Sequence, residues 1–199
     1  MTFIKVCGLR DEATVELAVC LRVDAVGFVF AESARKVLPE EAAALVALVP
    51  ASTLAVGVFK GMDVADVIAA AETAKLGIVQ VHDLASAEDV DRLHSAGLDV
   101  IRAEVAGNLR DGYELDFGEE HLLLDGATAG AGVTWDWSAR TAKPAGPWIL
   151  AGGLTPDNVT DALKATGATG VDVSSGIESS RGVKDHRLME RFVAAVRAN

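Results

Sequence analysis

The sequence contains little cysteine, few aromatic residues and no basic cluster. Two cysteines, Cys7 and Cys20, stand among 199 residues. That number is too small for a disulfide framework, and neither has a metal-ligand cluster around it, so a reducing cytoplasm is expected. Aromatic residues make up 5% of the chain, which leaves the core to Ala, Val and Leu. The first residues lack a basic region followed by an apolar stretch, so no signal peptide is predicted.

Positive charge is scarce as well. The formal net charge is −11 and the sequence pI is about 4.7, whereas nucleic-acid binding normally leaves a basic footprint. A phosphorylated ligand would therefore be held by backbone N–H groups more readily than by lysines. One charge-free run, 42–59, is long enough to raise the question of a membrane span. Pro50 interrupts it, so a helix end, a loop and a buried strand are predicted, with no membrane partner.

Short apolar runs recur about every 20 to 30 residues, which is typical of repeated β/α units. With helical patterns between most of them, they favour an α/β fold, a single minimal (β/α)8 TIM barrel over residues 1–199, rather than an open doubly wound sheet. No dinucleotide-type glycine fingerprint follows any run. The eight predicted strands are Phe3–Cys7, Ala25–Phe30, Leu54–Phe59, Ile78–His82, Val100–Ala103, Leu122–Asp125, Trp148–Ala151 and Gly170–Val173.

Several helix starts carry recognisable signals. Ser86 to Asp89 resembles a capping box, and Thr155 precedes a proline and an aspartate as an N-cap would. The intervals 104–120 and 134–147 have room for only a short helix or none. The predicted helical segments are Asp11–Cys20, Ala42–Val49 opened by Pro39, Asp63–Lys75, Ser86–Ala96, a segment after Asp157, and Asp185–Arg197.

The carboxyl ends of the strands are where such barrels place their sites. Alternation on the first strand puts Lys5 and Cys7 inside the barrel and Ile4 and Val6 under the helices. Cys7 is either a small buried hydrophobe, the usual role of a free cysteine, or a thiolate base at the barrel mouth.

Polar residues end three further strands. Asp125 closes an all-leucine strand, where an aspartate is costly to bury unless something pairs with it. It either caps the next loop or has a chemical role. Gln80 and His82 share one face of the fourth strand, although a structural histidine is as good an interpretation as a catalytic one. Asp172 and Ser174 share a face at the end of the eighth strand.

Two consecutive strands run into glycine-containing turns, where this fold frequently binds phosphate through backbone N–H groups and a helix N-terminus. Neither turn contains Lys or Arg. We expect Gly176→Val to be severe because valine would fill the phosphate space and would not reach a positive φ. The predicted phosphate-binding residues are Gly152, Gly153, Leu154, Ser174, Ser175 and Gly176.

Arg35 lies in the loop after the second strand. An arginine there can clamp a carboxylate through two hydrogen bonds. Taken alone, the residue pattern favours a solvated surface arginine.

These pieces occur in an order that closely resembles the phosphoribosylanthranilate isomerase family of tryptophan biosynthesis, over nearly the whole chain. The segments that carry the resemblance are Lys5–Gly8, Gly27–Phe30 with Ser33–Arg35, Gln80–His82, Leu123–Asp125, Gly130–Gly132 with Trp135–Trp137, Ala151–Val159 and Val171–Glu178.

The resemblance implies an Amadori rearrangement of N-(5'-phosphoribosyl)anthranilate to 1-(o-carboxyphenylamino)-1-deoxyribulose 5-phosphate, without a cofactor or a metal. It assigns Asp125 as the general acid and Cys7 as the general base. It further assigns Arg35 to the anthranilate carboxylate and the two glycine turns to the phosphate. Gln80, His82 and Asp172 are candidate substrate-binding residues. The acid requires a raised pKa and a thiolate base a lowered one.

The chain departs from the family pattern at three positions. Ala34 stands where the family usually has proline, Ala131 where it usually has threonine, and Asp83 where it usually has glycine. The resemblance therefore leaves ligand affinity and loop behaviour open at these positions. None of the three removes a candidate catalytic residue.

Two other functions compete with this one. A histidine-pathway sugar-phosphate isomerase, or a dual-substrate version, resembles this barrel, but it uses an aspartate at the end of the first strand. It would also show a second pair of glycine turns after strands three and four, which 58–61 and 81–83 do not form. A non-catalytic barrel that binds a phosphorylated metabolite has no need of both Cys7 and Asp125. The sequence leaves the oligomeric state open.

Overall fold

A computed structural model describes residues 1–106, 117–126, 144 and 146–199. Eight parallel strands, β1 to β8 in chain order, form a closed barrel, which confirms the predicted fold class over the open sheet. The strands are β1 Phe3–Cys7, β2 Ala25–Val29, β3 Leu54–Lys60, β4 Ile78–His82, β5 Asp99–Val105, β6 His121–Asp125, β7 Trp148–Leu150 and β8 Gly170–Val173.

Helices connect most of these strands. After β8 the chain forms a 3₁₀ turn at Ser175–Ile177 and a short antiparallel hairpin of β9, Glu178–Ser180, and β10, Val183–Lys184. The intervals between β5 and β6 and between β6 and β7, for which the sequence predicts at most a short helix, lie largely outside the described residues. The described helices are α1 Glu12–Cys20, α2 Pro39–Val46, α3 Val64–Ala74, α4 Ala87–Ser95, α5 Val159–Thr166 and α6 His186–Arg197.

Strand β1 pairs with both β2 and β8, which closes the barrel. The register of these pairings determines which side chains face the barrel interior. Lys5 is paired with Ala25 on β2 and with Asp172 on β8, and Cys7 is paired with Gly27. Residues in register on neighbouring parallel strands present their side chains to the same face. Lys5 and Asp172 therefore meet in the interior of the barrel.

Apolar side chains form two separate layers, as alternation along buried strands requires. Ile4 and Val6 belong to the larger layer between strands and helices, which confirms the prediction for that face of β1. A smaller layer fills the inside of the barrel, with Phe3 packed against it. The inner residues are Ala25, Val56, Ile101, Ala103, Leu123, Ile149 and Ala151.

Helix starts follow the sequence signals in some places and not in others. Asp11 and Asp185 accept hydrogen bonds from the amides of Thr14 and Leu188 and so cap α1 and α6. The capping box predicted at Ser86 is wrong, because Ser86 makes no side-chain cap bond.

The N-cap predicted at Thr155 is also wrong, since α5 begins at Val159 after Asn158. Asn158 accepts from the Thr155 amide at 2.7 Å and donates to the Gly153 carbonyl at 2.9 Å. It therefore braces the turn that follows β7. The signal at Thr155 marked this turn instead of the helix.

The charge-free run 42–59 divides into the end of α2, a loop and most of β3. That division is the predicted one. Across the described part of the chain, every helix is too short or too polar to cross a bilayer.

Candidate active site

The carboxyl ends of the strands bring the predicted polar residues to one end of the barrel. Asp125 and Asp172 line the same small cavity, of about 50 Å³, together with residues of the turns after β7 and β8. One water needs about 10–15 Å³ on this scale, so the cavity has room for a phosphate-sized group. Cys7 ends β1 beside β8, and its side chain is buried.

A buried ion pair lies directly below Cys7. The Nζ of Lys5 is 3.0 Å from Oδ2 of Asp172, and the Lys5 side chain is fully buried. A Cβ added at Gly27 would lie 2.9 Å from Cys7 Sγ and 3.2 Å from Lys5 Nζ. The thiol and the ammonium therefore both occupy the space that a larger residue on β2 would fill.

The charged groups around Cys7 shift the pKa of its thiol in opposite directions. Burial raises the pKa of the Cys7 thiol, Lys5 and Lys184 oppose this shift, and Asp172 adds to it. The net effect is a raised pKa, so the thiol keeps its proton at neutral pH. A thiolate base requires a lowered pKa, whereas the surroundings of Cys7 give a raised one. Burial also opposes the charge of Lys5, but the interactions with Asp172 and Cys7 together outweigh it, and the pKa of Lys5 is raised.

Asp125 is 8% exposed and accepts a hydrogen bond from the following amide, Gly126 N, at 2.7 Å. This is the short-range contact that the capping interpretation anticipated. Burial raises the pKa of Asp125 to about 6, and the Gly126 bond only partly opposes it. The carboxyl is thus within reach of protonation near neutral pH, which a proton donor needs.

Gln80 and His82 lie side by side on β4. Gln80 Nε2 is 3.2 Å from His82 Nε2, and since the amide nitrogen can only donate, that ring nitrogen accepts and carries no proton. Burial lowers the pKa of His82 to about 4, with help from the charges of Lys60 and Lys5. His82 is therefore a neutral hydrogen-bonding group at neutral pH.

The turns after β7 and β8 pack against each other. Gly152 and Gly153 have φ of 91° and 67°, in the left-handed region that glycine enters readily. Gly176 does not adopt a positive φ, so that part of the reason for its predicted sensitivity is wrong. A Cβ at Gly176 would lie 1.8 Å from the Leu154 carbonyl oxygen. The close approach of the two turns is what requires glycine there.

Arg35 is buried, 7% exposed, so the surface interpretation is wrong. Its Nε and Nη2 donate to Oε1 and Oε2 of Glu178 on β9 at 2.6 and 2.9 Å. Lys184 on β10 donates to Glu178 Oε1 at 2.9 Å and to the Ser174 carbonyl at 2.8 Å. One buried carboxylate thus joins two buried cations next to the turn after β8.

The structure describes two of the three positions at which the chain departs from the family pattern, Ala34 and Asp83. The Ala34 carbonyl accepts from Arg10 Nη1 at 2.8 Å, which ties down the loop that lacks a proline. Asp83 adopts φ of 63°, a conformation in which glycine is the unstrained residue and aspartate is tolerated. Ala131 lies outside the described residues, as do 127–143 as a whole.

Sequence reasoning missed Gly27, Glu178 and Lys184. Glu178 and Lys184 lie in the β9–β10 hairpin, which no hydrophobic pattern in the sequence predicts. A glycine inside a strand is a recognised sign of close approach, and Gly27 stands in that position. In the described ranges, which omit 107–116, 127–143 and 145, no group of three His, Cys, Asp or Glu side chains is arranged to hold a metal ion.

Comparison with known proteins agrees with this geometry. Residues 4–195 match the family model of N-(5'-phosphoribosyl)anthranilate (PRA) isomerase. A relative of that name from Streptococcus pneumoniae is 39% identical over 198 residues, 99% of this chain and 96% of that protein. The crystal structure of TrpF from Jonesia denitrificans has a TM-score of 0.89 at 41% identity, covering 100% of this chain and 98% of that one.

A further solved structure shares the barrel with a ligand in place. It is a phosphoribosyl anthranilate isomerase in complex with reduced 1-(o-carboxyphenylamino)-1-deoxyribulose 5-phosphate, with a TM-score of 0.80, 27% identity and 100% coverage of both chains. The family model and the full-length relatives lead to one conclusion: the chain belongs to the N-(5'-phosphoribosyl)anthranilate isomerase family.

Proposed function

We propose that this isomerase converts N-(5'-phosphoribosyl)anthranilate into 1-(o-carboxyphenylamino)-1-deoxyribulose 5-phosphate in tryptophan biosynthesis, with Asp125 as general acid and Cys7 as general base. The observation that carries the proposal is the placement of these two groups around one ion pair. Cys7 and Asp125 end β1 and β6, and the charges of Lys5 and Asp172 act on both of them. A sugar between the two would meet an acid on one side and a base on the other.

The proposed chemistry balances without a cofactor. Asp125 gives its proton to the ribose ring oxygen, and the C–O bond breaks to leave an iminium ion. Cys7 removes the C2 proton, and the electron pair neutralises the iminium to give an enolamine. Transfer of a proton from the enol oxygen to C1 then gives the ketone. Asp125 has then lost one proton and Cys7 has gained one, so the total number of protons on the protein is unchanged. Loss of the Cys7 proton to solvent and uptake of one by Asp125 restore the acid and the base for the next turnover.

Substrate charge would adjust both pKa values in the direction that the reaction needs. The phosphate and carboxylate of the substrate are negative, and a nearby negative charge raises the pKa of Asp125 further. The iminium ion is positive and lowers the pKa of a thiol beside it. Lys5, close to Cys7 Sγ, stabilises the thiolate throughout.

Two buried acceptors suit the sugar hydroxyls. Gln80 Oε1 and Asp172 Oδ1 are buried and without a hydrogen-bond partner in the described structure. A buried acceptor left unsatisfied costs about 1–3 kcal/mol, and a hydroxyl donor would remove that cost. We assign the ribose hydroxyls to these atoms, with neutral His82 beside them.

The turns after β7 and β8 are assigned to the phosphate. Gly152, Gly153, Leu154, Ser174 and Ser175 line the cavity, and Gly176 keeps the turns in contact. Backbone N–H groups can hold a phosphate in a protein of net charge −11. Arg35, on the other side of Ser174, is assigned to the anthranilate carboxylate.

An anthranilate-fluorescence assay with freshly generated phosphoribosylanthranilate tests the proposal. We expect turnover with this substrate and little with the phosphoribosyl-formimino substrate of the histidine pathway, run in parallel. Turnover of the second substrate alone would overturn the assignment. Binding of both without turnover would make the chain a phosphometabolite-binding barrel.

A further inference from the structure

Arg35 is the residue on which the carboxylate assignment depends, and its guanidinium is already engaged. The Nε and Nη2 groups form a two-point contact with Glu178, at 2.6 and 2.9 Å. The side chains of Arg35 and Glu178 are 8% and 3% exposed. A planar guanidinium held at two points by one carboxylate cannot rotate without breaking both bonds.

Displacing Glu178 would be costly because all its acceptor positions are in use. Oε1 also accepts from Lys184 Nζ at 2.9 Å, and Oε2 accepts from the Gly182 amide at 3.0 Å. Burial opposes ionisation of this carboxyl, but the bonds from Arg35, Gly182 and Lys184 lower its pKa to about 2. An incoming carboxylate would have to replace four bonds, so exchange of one anion for the other is disfavoured.

The remaining donors of Arg35 point to a second carboxylate. A guanidinium has five N–H groups, and Glu178 takes one from Nε and one from Nη2. Within the described part of the chain, Nη1 donates to no protein group. The outer edge formed by Nη1 and the second Nη2 hydrogen is therefore available for another two-point contact.

The location of Arg35 places that edge at the barrel mouth. A Cβ added at Gly8, the residue after Cys7, would lie 2.7 Å from Arg35 Cδ. The arginine stem therefore crosses the end of β1. The cluster of Arg35, Lys184 and Glu178 carries two positive charges and one negative, so one positive charge stays uncompensated where an anion can approach.

We propose that Glu178 is a positioning residue that holds Arg35 with its outer edge toward the substrate, so that recognition of the anthranilate carboxylate depends on Glu178. This inference rests on the proposed function, because it requires a substrate with a carboxylate. Glu178 acts through the orientation of Arg35, not through its own charge, which by itself repels an anion.

The test compares two ligands that differ in one group. The probes are reduced 1-(o-carboxyphenylamino)-1-deoxyribulose 5-phosphate and the corresponding anilino compound without the carboxyl. We expect the wild-type protein to bind the first about 10- to 100-fold more tightly, the range for a charged two-point contact. In Glu178→Asp, which keeps the charge but is one methylene shorter, and in Glu178→Gln, the ratio should fall to about threefold or less.

Glu32→Gln is the matched control. Glu32 lies in the same loop as Arg35, is exposed and pairs with Lys36, so the wild-type ratio should persist. The inference requires that the affinity ratio of the carboxylated to the anilino ligand fall in both Glu178 variants. A wild-type ratio in Glu178→Asp, or a ratio above the wild-type value in Glu178→Gln, would show that the charge of residue 178 matters and the orientation of Arg35 does not. Equal weakening of both ligands would show a structural role only. Either result overturns the inference.

Turnover of phosphoribosylanthranilate by the wild-type protein is measured alongside. Normal turnover with an unchanged ligand ratio in the Glu178 variants would reject the positioning role and leave the proposed function standing. A wild-type protein with neither turnover nor a preference for the carboxylated ligand would reject both.

Discussion

Burial raises the pKa of both Cys7 and Asp125, but the consequences for acid–base chemistry are opposite. For Asp125 the shift keeps a proton available near neutral pH. For Cys7 it favours the thiol over the thiolate, and Lys5 is the nearby charge that limits the effect. The protein without substrate therefore holds little of the form in which Asp125 is protonated and Cys7 is ionised.

Replacing the base tests the proposed role of Cys7. We expect Cys7→Ser to lower kcat by about two to four powers of ten, the usual contribution of a positioned acid or base, because a hydroxyl is much harder to ionise than a thiol. Steady-state kinetics give the value. Cys20→Ala is the control, since Cys20 is exposed at the end of α1. Near-normal turnover in Cys7→Ser would reject the role.

Replacing the acid should change the pH dependence of kcat/KM. The reactive form has Asp125 protonated and Cys7 ionised, and its population rises about tenfold per pH unit until Asp125 loses its proton. The wild-type kcat/KM should therefore rise up to about pH 6 and then level off. In Asp125→Asn the residual activity should continue to rise above pH 6, toward the Cys7 pKa.

The substrate phosphate is a competing explanation for the levelling of kcat/KM near pH 6, because its second pKa is also about 6. A break that stays at pH 6 in Asp125→Asn would assign it to the phosphate. Loss of product-analogue binding with chemistry intact would make Asp125 a binding residue instead.

At the scale of elements, the site depends on how the turns after β7 and β8 meet. The contact between Gly176 and the Leu154 carbonyl brings them together, and Asn158 braces the first turn from the start of α5. Gly176→Ala should separate the turns, with a loss of about 1–3 kcal/mol in the free energy of unfolding, as overpacking costs. Phosphate affinity should fall by more than about tenfold, since each charged hydrogen bond contributes about 1.5–3 kcal/mol.

Calorimetric titration with inorganic phosphate and urea unfolding give the two values. Gly77→Ala is the matched control, because a Cβ there meets nothing within 4 Å. Ser175→Ala should be mild, since its amide remains. Normal phosphate binding in Gly176→Ala would remove the turn contact from the proposed site.

At the scale of the whole molecule, the barrel and its inside and outside faces could be predicted from the sequence. Apolar runs and their spacing locate each strand, and alternation places Lys5 within the barrel. Contacts between distant segments could not be predicted. The Arg35 to Glu178 contact joins residues 143 positions apart, and the Gly176 contact depends on the packing of two loops. Neither leaves a periodic signal.

The pKa of Asp125 also makes a prediction about the stability of the whole protein. The folded-state pKa of about 6 exceeds the ordinary aspartate pKa of 3.8, so between these values the folded protein binds more protons than the unfolded chain. Stability therefore falls as pH rises through this window. At about 1.4 kcal/mol per pKa unit, the loss from this group is about 3 kcal/mol by pH 7.

Asp125→Asn removes the ionisation but keeps the oxygen that accepts from Gly126. The variant should be more stable than wild type at pH 7, and the advantage should vanish near pH 4. Urea unfolding at both pH values measures it, with Asp91→Asn at an exposed position of α4 as a control for the Asp-to-Asn exchange itself. If Asp125→Asn gained nothing at pH 7, Asp125 would be ionised and satisfied in the folded protein. It would then be a poor proton donor, and the acid in the proposed reaction would have to be another group.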